Sequence, residues 1–521
     1  MSKKNMKKIV FNLLIAAIVL SSCSDGNNTQ KLEIEILNAE AKNQTILAEE
    51  TSGKDVVLTT PGAWSASIEE KVTLENPVKG TASWININPA KGDAGGQYTV
   101  SISLEPNTAT KERTAGIAIA SNGKSVEIIV TQKGIKKDNN DDDNDDDNDD
   151  DDGDDDKPNE WRYLMRDNIT TQQLIEEMGL GINLGNTLEA GGDWINPSSI
   201  LNYERAWGAP VTTEKIIAGY AEAGFESIRI PVRWTNLMQP GNVIHPDLFD
   251  RVENIVNWTL DNGMIALINT HHEGYLWDYD YTATRADYGQ KFKDTWRQIS
   301  ERFKDYGDRL LFEPMNEIGF DRIWTPWMGG TAGQRQAAKE EAFGLVNELN
   351  QIFVDVVRAS GGKNAKRHLV IEVYNTGLEY AWDPDFKMPN DPANRCAATV
   401  HYYTPAVFAI LEEDADWGKA RDTWGTPEDF HELETNMELL KVNCVDKGIP
   451  IIVGEYAACG NNKTQEMKRL YAVSVTEAVY KRRMCPMLWD TPGDQYNRNT
   501  YKFNDPLFLE QFKAIKVNNP R

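Results

Sequence analysis

Residues 138–156 comprise fourteen aspartates, four asparagines and one glycine, with no base among them. Such a stretch has no apolar surface to bury, and its own charge extends it. A chain that carries it must fold as separate bodies on either side, so residues 135–158 are read as a solvated linker. The length of 521 residues suits that division, because one domain commonly takes about 100 to 200. Of the formal charge of −25 the run supplies 14 negative charges, leaving −11 for the rest of the chain. The acidity is local, and no long Lys/Arg run offers the basic face that a phosphate backbone needs; nucleic acid is not expected as a partner. One calcium-loop register puts Gly153 at position six, but Asn159 then stands where a bidentate Glu is required, so no EF-hand is expected.

Lys3, Lys4, Lys7 and Lys8 precede an apolar run from Ile9 to Leu20, a segment too short to span a bilayer and read as an export signal over residues 1–22. Leu20-Ser21-Ser22-Cys23 resembles the bacterial lipoprotein signal. That resemblance implies acylation of Cys23, a lipid anchor to a membrane, and a place at the bacterial cell surface or outer membrane. Cys396, Cys444, Cys459 and Cys485 show neither CxxC spacing nor histidines at ligand distance, so no zinc site is expected, nor any other metal or cofactor. Free core thiols and one or two disulfides remain open alternatives for these four.

Residues 31–134 alternate short apolar segments with turn residues. The predicted strands are Lys31 to Leu37, Asp55 to Leu58, Trp64 to Ile68, Trp84 to Asn88, Gln97 to Leu104, Arg113 to Ala120 and Ser125 to Gln132. Strands of this length and spacing predict a small antiparallel sandwich, with Trp64 and Trp84 packed inside. Ala63-Trp64, Ser83-Trp84-Ile85, Lys111-Glu112-Arg113-Thr114-Ala115 and Ile129-Val130-Thr131-Gln132 resemble the BACON module of Bacteroidetes surface proteins. The resemblance implies carbohydrate or mucin binding, but tryptophans committed to a core favour a spacer.

Beyond residue 160 the period changes. Apolar runs Leu180 to Leu184, Ser227 to Val232, Met264 to Asn269, Leu310 to Glu313, Leu369 to Val373, Ala397 to His401, Ile451 to Gly454 and Met487 to Trp489 alternate with amphipathic helical stretches. Eight such units over residues 160–521 predict an α/β chain of the (β/α)8 barrel type, preceded by the small all-β domain. A doubly wound open sheet is disfavoured, because Gly179, Gly181 and Gly185 do not form GxGxxG into a helix.

In a barrel of this kind chemistry sits where the strands end. Those ends carry Arg229, His271 and His272, Asn316 and Glu317, His401 and Tyr403, Glu455, and Trp489 with Asp490. Two carboxylates on opposing strands suit glycosidic cleavage, one protonated to release the leaving oxygen and one ionised to attack the anomeric carbon. Strands four and seven supply that pair as Glu317 and Glu455. Glu313, deeper along strand four, is read as an inward-facing barrel charge.

The segments Asn183-Leu184-Gly185-Asn186-Thr187, Arg229-Ile230-Pro231-Val232, Asn269-Thr270-His271-His272-Glu273, Phe312-Glu313-Pro314-Met315-Asn316-Glu317, His401-Tyr402-Tyr403, Gly454-Glu455-Tyr456 and Leu488-Trp489-Asp490 resemble glycoside hydrolase family 5, the retaining cellulase family, across residues 160–521. The resemblance implies that Glu317 is the acid/base and Glu455 the nucleophile. It further implies substrate-binding positions at Asn183, Arg229, His271, Asn316, His401, Tyr403 and Trp489, with Arg229 and Tyr403 also contacting Glu455. His272 matches a variable position and receives no catalytic role. Ile318 departs from the many relatives that place Pro after the Glu, which leaves the exit of that loop open.

Trp194, Trp207, Trp234, Tyr275, Trp277, Tyr279, Trp324, Trp327, Trp382 and Trp424 fall in loop segments, and flat aromatic faces suit equatorial pyranoses. Such faces suit β-1,4-glucans, and side loops this long would form an open cleft for internal attack. The expected partner is a plant β-glucan polysaccharide, and a monomer is expected. The resemblance is strongest to endo-β-1,4-glucanases that accept cellulose, mixed-linkage glucan and xyloglucan. A β-mannanase on the same scaffold, a silent glycan-binding surface protein and an adhesin acting through residues 31–134 are the alternatives.

Overall fold

The computed structural model describes residues 34–38, 41–46, 50–70, 82–107, 113–133 and 160–521. The export signal, Cys23 and the linker over 135–158 lie outside the described residues. The chain divides into two compact units, Met1–Asp151 and Asp152–Arg521.

The first unit holds two sheets. One runs Glu35–Ile36, Val56–Thr60, Gly96–Leu104, Ile85–Asn88, and the other Asn43–Ile46, Lys124–Gln132, Arg113–Ser121, Trp64–Glu70, Lys91–Gly92. Buried and exposed residues alternate along Val56–Thr60 and Ile85–Asn88, which is the two-residue period of a half-buried sheet. Val56, Leu58, Val100 and Ile102 from one sheet share a core with Ile117, Ile119, Ile128 and Val130 from the other. Trp64 and Trp84 are buried within it, and the Arg113 guanidinium lies 4.5 Å from the Trp84 ring centre. Neither indole offers a face to a sugar. The expected all-antiparallel arrangement is corrected at Asn43–Ile46, which pairs parallel to Lys124–Gln132.

In the second unit eight parallel strands close into a barrel: β1 (Gly181–Asn183), β2 (Ser227–Ile230), β3 (Ile265–Asn269), β4 (Leu310–Glu313), β5 (Leu369–Gly377), β6 (Cys396–His401), β7 (Ile451–Tyr456) and β8 (Cys485–Leu488). All eight match predicted strands. Strand parity sorts their side chains. Ile228, Ile230, Ala266, Ile268, Leu310 and Phe312 pack outward in the main core cluster, while Ile265, Leu267, Leu311, Val370, Ala397, Ile452 and Met487 fill the barrel's lower interior. Leu174 and Ile175, from the helix Thr171–Glu177, plug that interior from below. Thr170 starts the helix with a reciprocal cap, its hydroxyl accepting the Gln173 N–H and its own N–H donating to the Gln173 side chain.

Above the apolar layer the same parity carries the next inward residues into a polar one: Asn183, Arg229, Asn269, Glu313, Glu372, Thr399 and His401, all buried. An apolar floor under a polar layer is what lets this barrel hold charges without water beneath them. Cys396, Cys444, Cys459 and Cys485 are unpaired thiols, so the disulfide alternative fails for them. Among the described residues no helix is long and apolar enough to cross a membrane.

Candidate active site

Near the end of β7 the register shifts, which brings Glu455 inward out of the strand's parity, with its side chain 6% exposed. Arg229 Nη1 donates to Glu455 Oε1 at 2.8 Å, and the Tyr403 hydroxyl donates to Oε2 at 2.9 Å. Arg229 is wholly buried and organises the layer: its Nε donates to Glu313 Oε2 at 2.7 Å, Nη1 also reaches Asn183 Oδ1 at 3.0 Å, and Nη2 reaches Asn316 Oδ1 at 2.6 Å. Glu313 is thus the inward barrel charge that was expected, paired to the one arginine beside it.

Glu317 lies one turn of chain above Glu313, with φ +53° and a side chain that is 44% exposed. His401 Nδ1 is 2.8 Å from Glu317 Oε1 and 3.6 Å from Glu455 Oε2, so one imidazole faces both carboxyls. One oxygen of each carboxylate and the His401 ring donor all fall within 4.8 Å of one another. Among the described residues this trio alone has donors close enough for a cation, and Arg229 already supplies positive charge there. The ring of His401 fits because Gly454 precedes Glu455: a Cβ at residue 454 would stand 2.6 Å from Thr399 Oγ1 and 3.3 Å from His401 Nε2.

The electrostatics follow burial and these contacts. Burial raises the Glu455 carboxyl, against the lowering effect of His401 and Arg229. Burial also raises Glu317, but the hydrogen bond and charge of His401 outweigh it and leave this carboxyl lowered. Burial beside Glu455 pushes the Tyr403 phenol far up, so it stays a hydrogen-bond donor. His271 is driven well below the usual histidine range by burial and by His272, Arg229 and His401. Asn269 Nδ2 donates to His271 Nδ1 at 3.2 Å, its own Oδ1 being taken by the Val232 N–H, so the proton of this neutral ring sits on Nε2.

Trp489 stacks on His271 with ring centres 6.0 Å apart and planes at 14°. Gly185 lies against that indole: a Cβ there would come 3.0 Å from Trp489 and 2.7 Å from the Asp490 carbonyl. Two expected substrate contacts are corrected. Asn183 and Arg229 are fully buried, and the Asn183 amide donates to the carbonyls of Gly454 and Met487, so both serve the carboxylates from below and present no surface to a sugar. Of the loop aromatics, Trp234, Tyr275, Tyr279, Trp324 and Trp424 are core residues; Trp194 and Trp327 are 68% and 81% exposed. Trp277, expected only as a loop aromatic, donates its indole N–H to the Glu317 carbonyl at 3.3 Å, and His272, expected to have no catalytic role, has its ring near those of Trp207 and Trp277. A groove of about 740 Å³ lined by Arg166, Gln173, Glu177 and Arg521 lies at the amino-terminal end of the strands, away from this chemistry.

Residues 188–494, more than half of the chain, match the family model described as Cellulase (glycosyl hydrolase family 5). The chain belongs to glycosyl hydrolase family 5. Residues 67–133 match the BACON model of N-terminal domains. Among relatives of this glycosyl hydrolase, a xyloglucan-specific endo-β-1,4-glucanase of Bacteroides ovatus is 30% identical over 516 residues, covering 94% of this chain and 92% of that one. Endoglucanase A of Clostridium longisporum is 32% identical over 330 residues, 63% of this chain, which spans 61% of that relative's length. The solved Bacteroides ovatus xyloglucanase, in complex with a XXXG heptasaccharide, is 25% identical with a TM-score of 0.58 over 93% of this chain and 99% of that one. A broad-specificity endoglucanase from an uncultured bovine rumen ciliate is 31% identical with a TM-score of 0.59, covering 67% and 99% respectively.

Proposed function

We propose that this glycoside hydrolase is an endo-β-1,4-glucanase that cleaves plant β-glucans, xyloglucan among them, with retention of anomeric configuration. The observation that carries the mechanism is the proximity of Glu317 to Glu455, their nearest donors within 4.8 Å. Retaining enzymes hold their carboxyls about 5 to 5.5 Å apart, whereas inverting ones leave about 6.5 to 9.5 Å for a water. Glu455, held by Arg229 and Tyr403, attacks the anomeric carbon; Glu317 protonates the leaving oxygen and then deprotonates the water that releases the glycosyl group. Asn316 Oδ1 is occupied by Arg229, which leaves Nδ2 as the donor for a sugar hydroxyl.

Burial raises the Glu455 carboxyl, and the His401 hydrogen bond and charge lower that of Glu317, so Glu317 needs a further change of surroundings to act as the acid. Substrate completes the arrangement. It covers Glu317, the exposed member, and strips its water, while the fixed donors on Glu455 stay in place to hold the negative charge.

Xyloglucan is supported by the full-length likeness to a xyloglucan-specific enzyme and by a physical argument: stacking on Trp489 reads the sugar face and leaves exposed hydroxymethyl edges, where xylosyl branches hang, unread. A panel of xyloglucan, mixed-linkage glucan, carboxymethylcellulose and mannan is expected to show hydrolysis of the first three and at least about tenfold less on mannan, the scale of one lost polar contact. Mannan as the fastest substrate, or an inverted product anomer by proton NMR, defeats the proposal. Lipid anchoring through Cys23 at the cell surface is a further part of the reading, carried by Leu20-Ser21-Ser22-Cys23. Cys23→Ser is expected to move the protein from the membrane fraction to the soluble one, and an unchanged fractionation refutes the anchor.

A further inference from the structure

Glu372 is an inward residue of β5, fully buried, and the mechanism above does not use it. Its Oε1 accepts the Ile318 N–H at 2.5 Å, while Oε2 has no partner. Ile318 is the residue that follows Glu317, and Glu317 holds φ +53°, in the left-handed region that a side chain adopts only when its surroundings impose it. Trp277 holds the Glu317 carbonyl, and the residues that follow Glu317 are held by one strand, β5. The Ile318 carbonyl accepts the Asn375 N–H at 2.8 Å, and the Tyr374 hydroxyl accepts the Phe320 N–H at 2.8 Å. β5 can grip a neighbouring loop in this way because its register with β6 shifts between Glu372 and Gly377, where Asn375 and Thr376 also take positive φ. Glu372 is itself anchored from behind. Asn350, on the helix Ala332–Ala359, donates to its carbonyl at 2.8 Å and accepts its N–H at 3.3 Å. A proline at 318 would have no N–H to hold; isoleucine does, and Glu372 takes it.

We infer that Glu372 is a positioning residue for the acid/base: its buried carboxyl grips Ile318 and so fixes the left-handed turn that presents Glu317 to the leaving oxygen. The inference rests on the reading of Glu317 as that acid/base.

The charged groups that face the Glu372 carboxyl are Glu313 on β4, Glu317 beyond it and Arg229 on β2. Burial first, and then the two carboxylates, raise Glu372 well above the ordinary range; the Ile318 N–H and, more weakly, Arg229 act the other way without offsetting burial. An ionised Glu372 would also carry a bare, unsolvated oxygen at Oε2. Glu372 therefore works as a neutral acid, accepting the Ile318 N–H without placing a second negative charge behind Glu317.

The test compares kcat/KM of the full-length enzyme on a soluble β-glucan and on a dinitrophenyl β-cellobioside, whose leaving group needs no proton. Glu372→Gln keeps a neutral acceptor and is expected within about twofold of wild type on both substrates, with neither limb of the pH profile moved. Glu372→Met, similar in volume, is expected to lose about 10- to 100-fold on the glucan, the scale of an ångström-sized misplacement, and under about threefold on the activated glycoside. Should the Met variant not fold, Glu372→Asp, too short to reach Ile318, is read by the same comparison. Equal losses on both substrates overturn the inference, as does a Gln variant whose basic limb falls, since that would mean a negative neighbour had been removed. Glu317→Ala is the control for the underlying assignment: if it shows no dependence on the leaving group, the role of Glu317 fails rather than that of Glu372.

Discussion

Glu455→Ala is expected to lower hydrolysis of every substrate, activated or not, by about 10⁴-fold or more, because without the nucleophile no glycosyl-enzyme forms. Glu317→Ala should behave differently. On unactivated glucan it loses about 10²- to 10⁴-fold, the scale of general acid catalysis, while kcat/KM on a dinitrophenyl β-cellobioside stays within about tenfold of wild type. Azide then restores turnover of that substrate by Glu317→Ala, giving a β-glycosyl azide, since a small anion needs no base to attack the intermediate. The geometry dictates this split: Glu455 is enclosed by Arg229 and Tyr403, whereas Glu317 meets the cleft with 44% of its side chain. Loss of activated-substrate cleavage in Glu317→Ala, with survival in Glu455→Ala, would exchange the two assignments.

The barrel was legible in the sequence because a parallel strand covered on both faces is a continuous apolar run, and eight such runs separated by helical periods have few other ways to pack. Glu455, His401 and Tyr403 were legible for a related reason, since a polar residue at the end of an apolar strand core stands at the rim or faces inward, while Glu317, four residues past the end of β4, was marked by the family resemblance. Asn43–Ile46 was not visible, since Asn-Gln-Thr-Ile has no apolar alternation and forms a strand by pairing with Lys124–Gln132. The loop aromatics misled because an indole next to a turn serves a core as well as a cleft, and Trp234, with its N–H on the Asn269 carbonyl, is core. What separates Arg229 and Asn183 below from Asn316 and Glu317 above is the stagger of strands in a closed barrel, which brings residues hundreds of positions apart to one level. Glu372 escaped notice for the same reason. Nothing local marks it as the acceptor of an N–H fifty-four residues away.

That stagger concentrates the fold's electrostatic risk on one side chain. Arg229 satisfies two buried carboxylates, Glu313 and Glu455, and two amides, Asn183 and Asn316, from a single guanidinium. Removing one partner of a buried pair leaves its charge uncompensated and typically costs about 3 to 5 kcal/mol. Arg229→Met should therefore unfold earlier than wild type. The loss should depend on pH, because without the cation the Glu455 carboxyl, already raised by burial, rises further above its unfolded value. A carboxyl raised in the folded state is tolerated while protonated, and it destabilises as pH climbs through its folded value. The gap in Tm between variant and wild type is thus expected to widen from about pH 5 to about pH 8. Activity should follow the same sign. With Arg229 gone the Glu455 carboxyl holds its proton to higher pH, so the acid limb of kcat/KM moves up and the maximum falls, by about 10²- to 10³-fold, as for other fixed charge-stabilising donors. Arg229→Lys keeps a charge but not the planar fork that reaches four acceptors, and it should recover only part of either loss. A Met variant with the wild-type Tm across that pH range and an unmoved acid limb would show that Arg229 does not hold Glu455 in its attacking form.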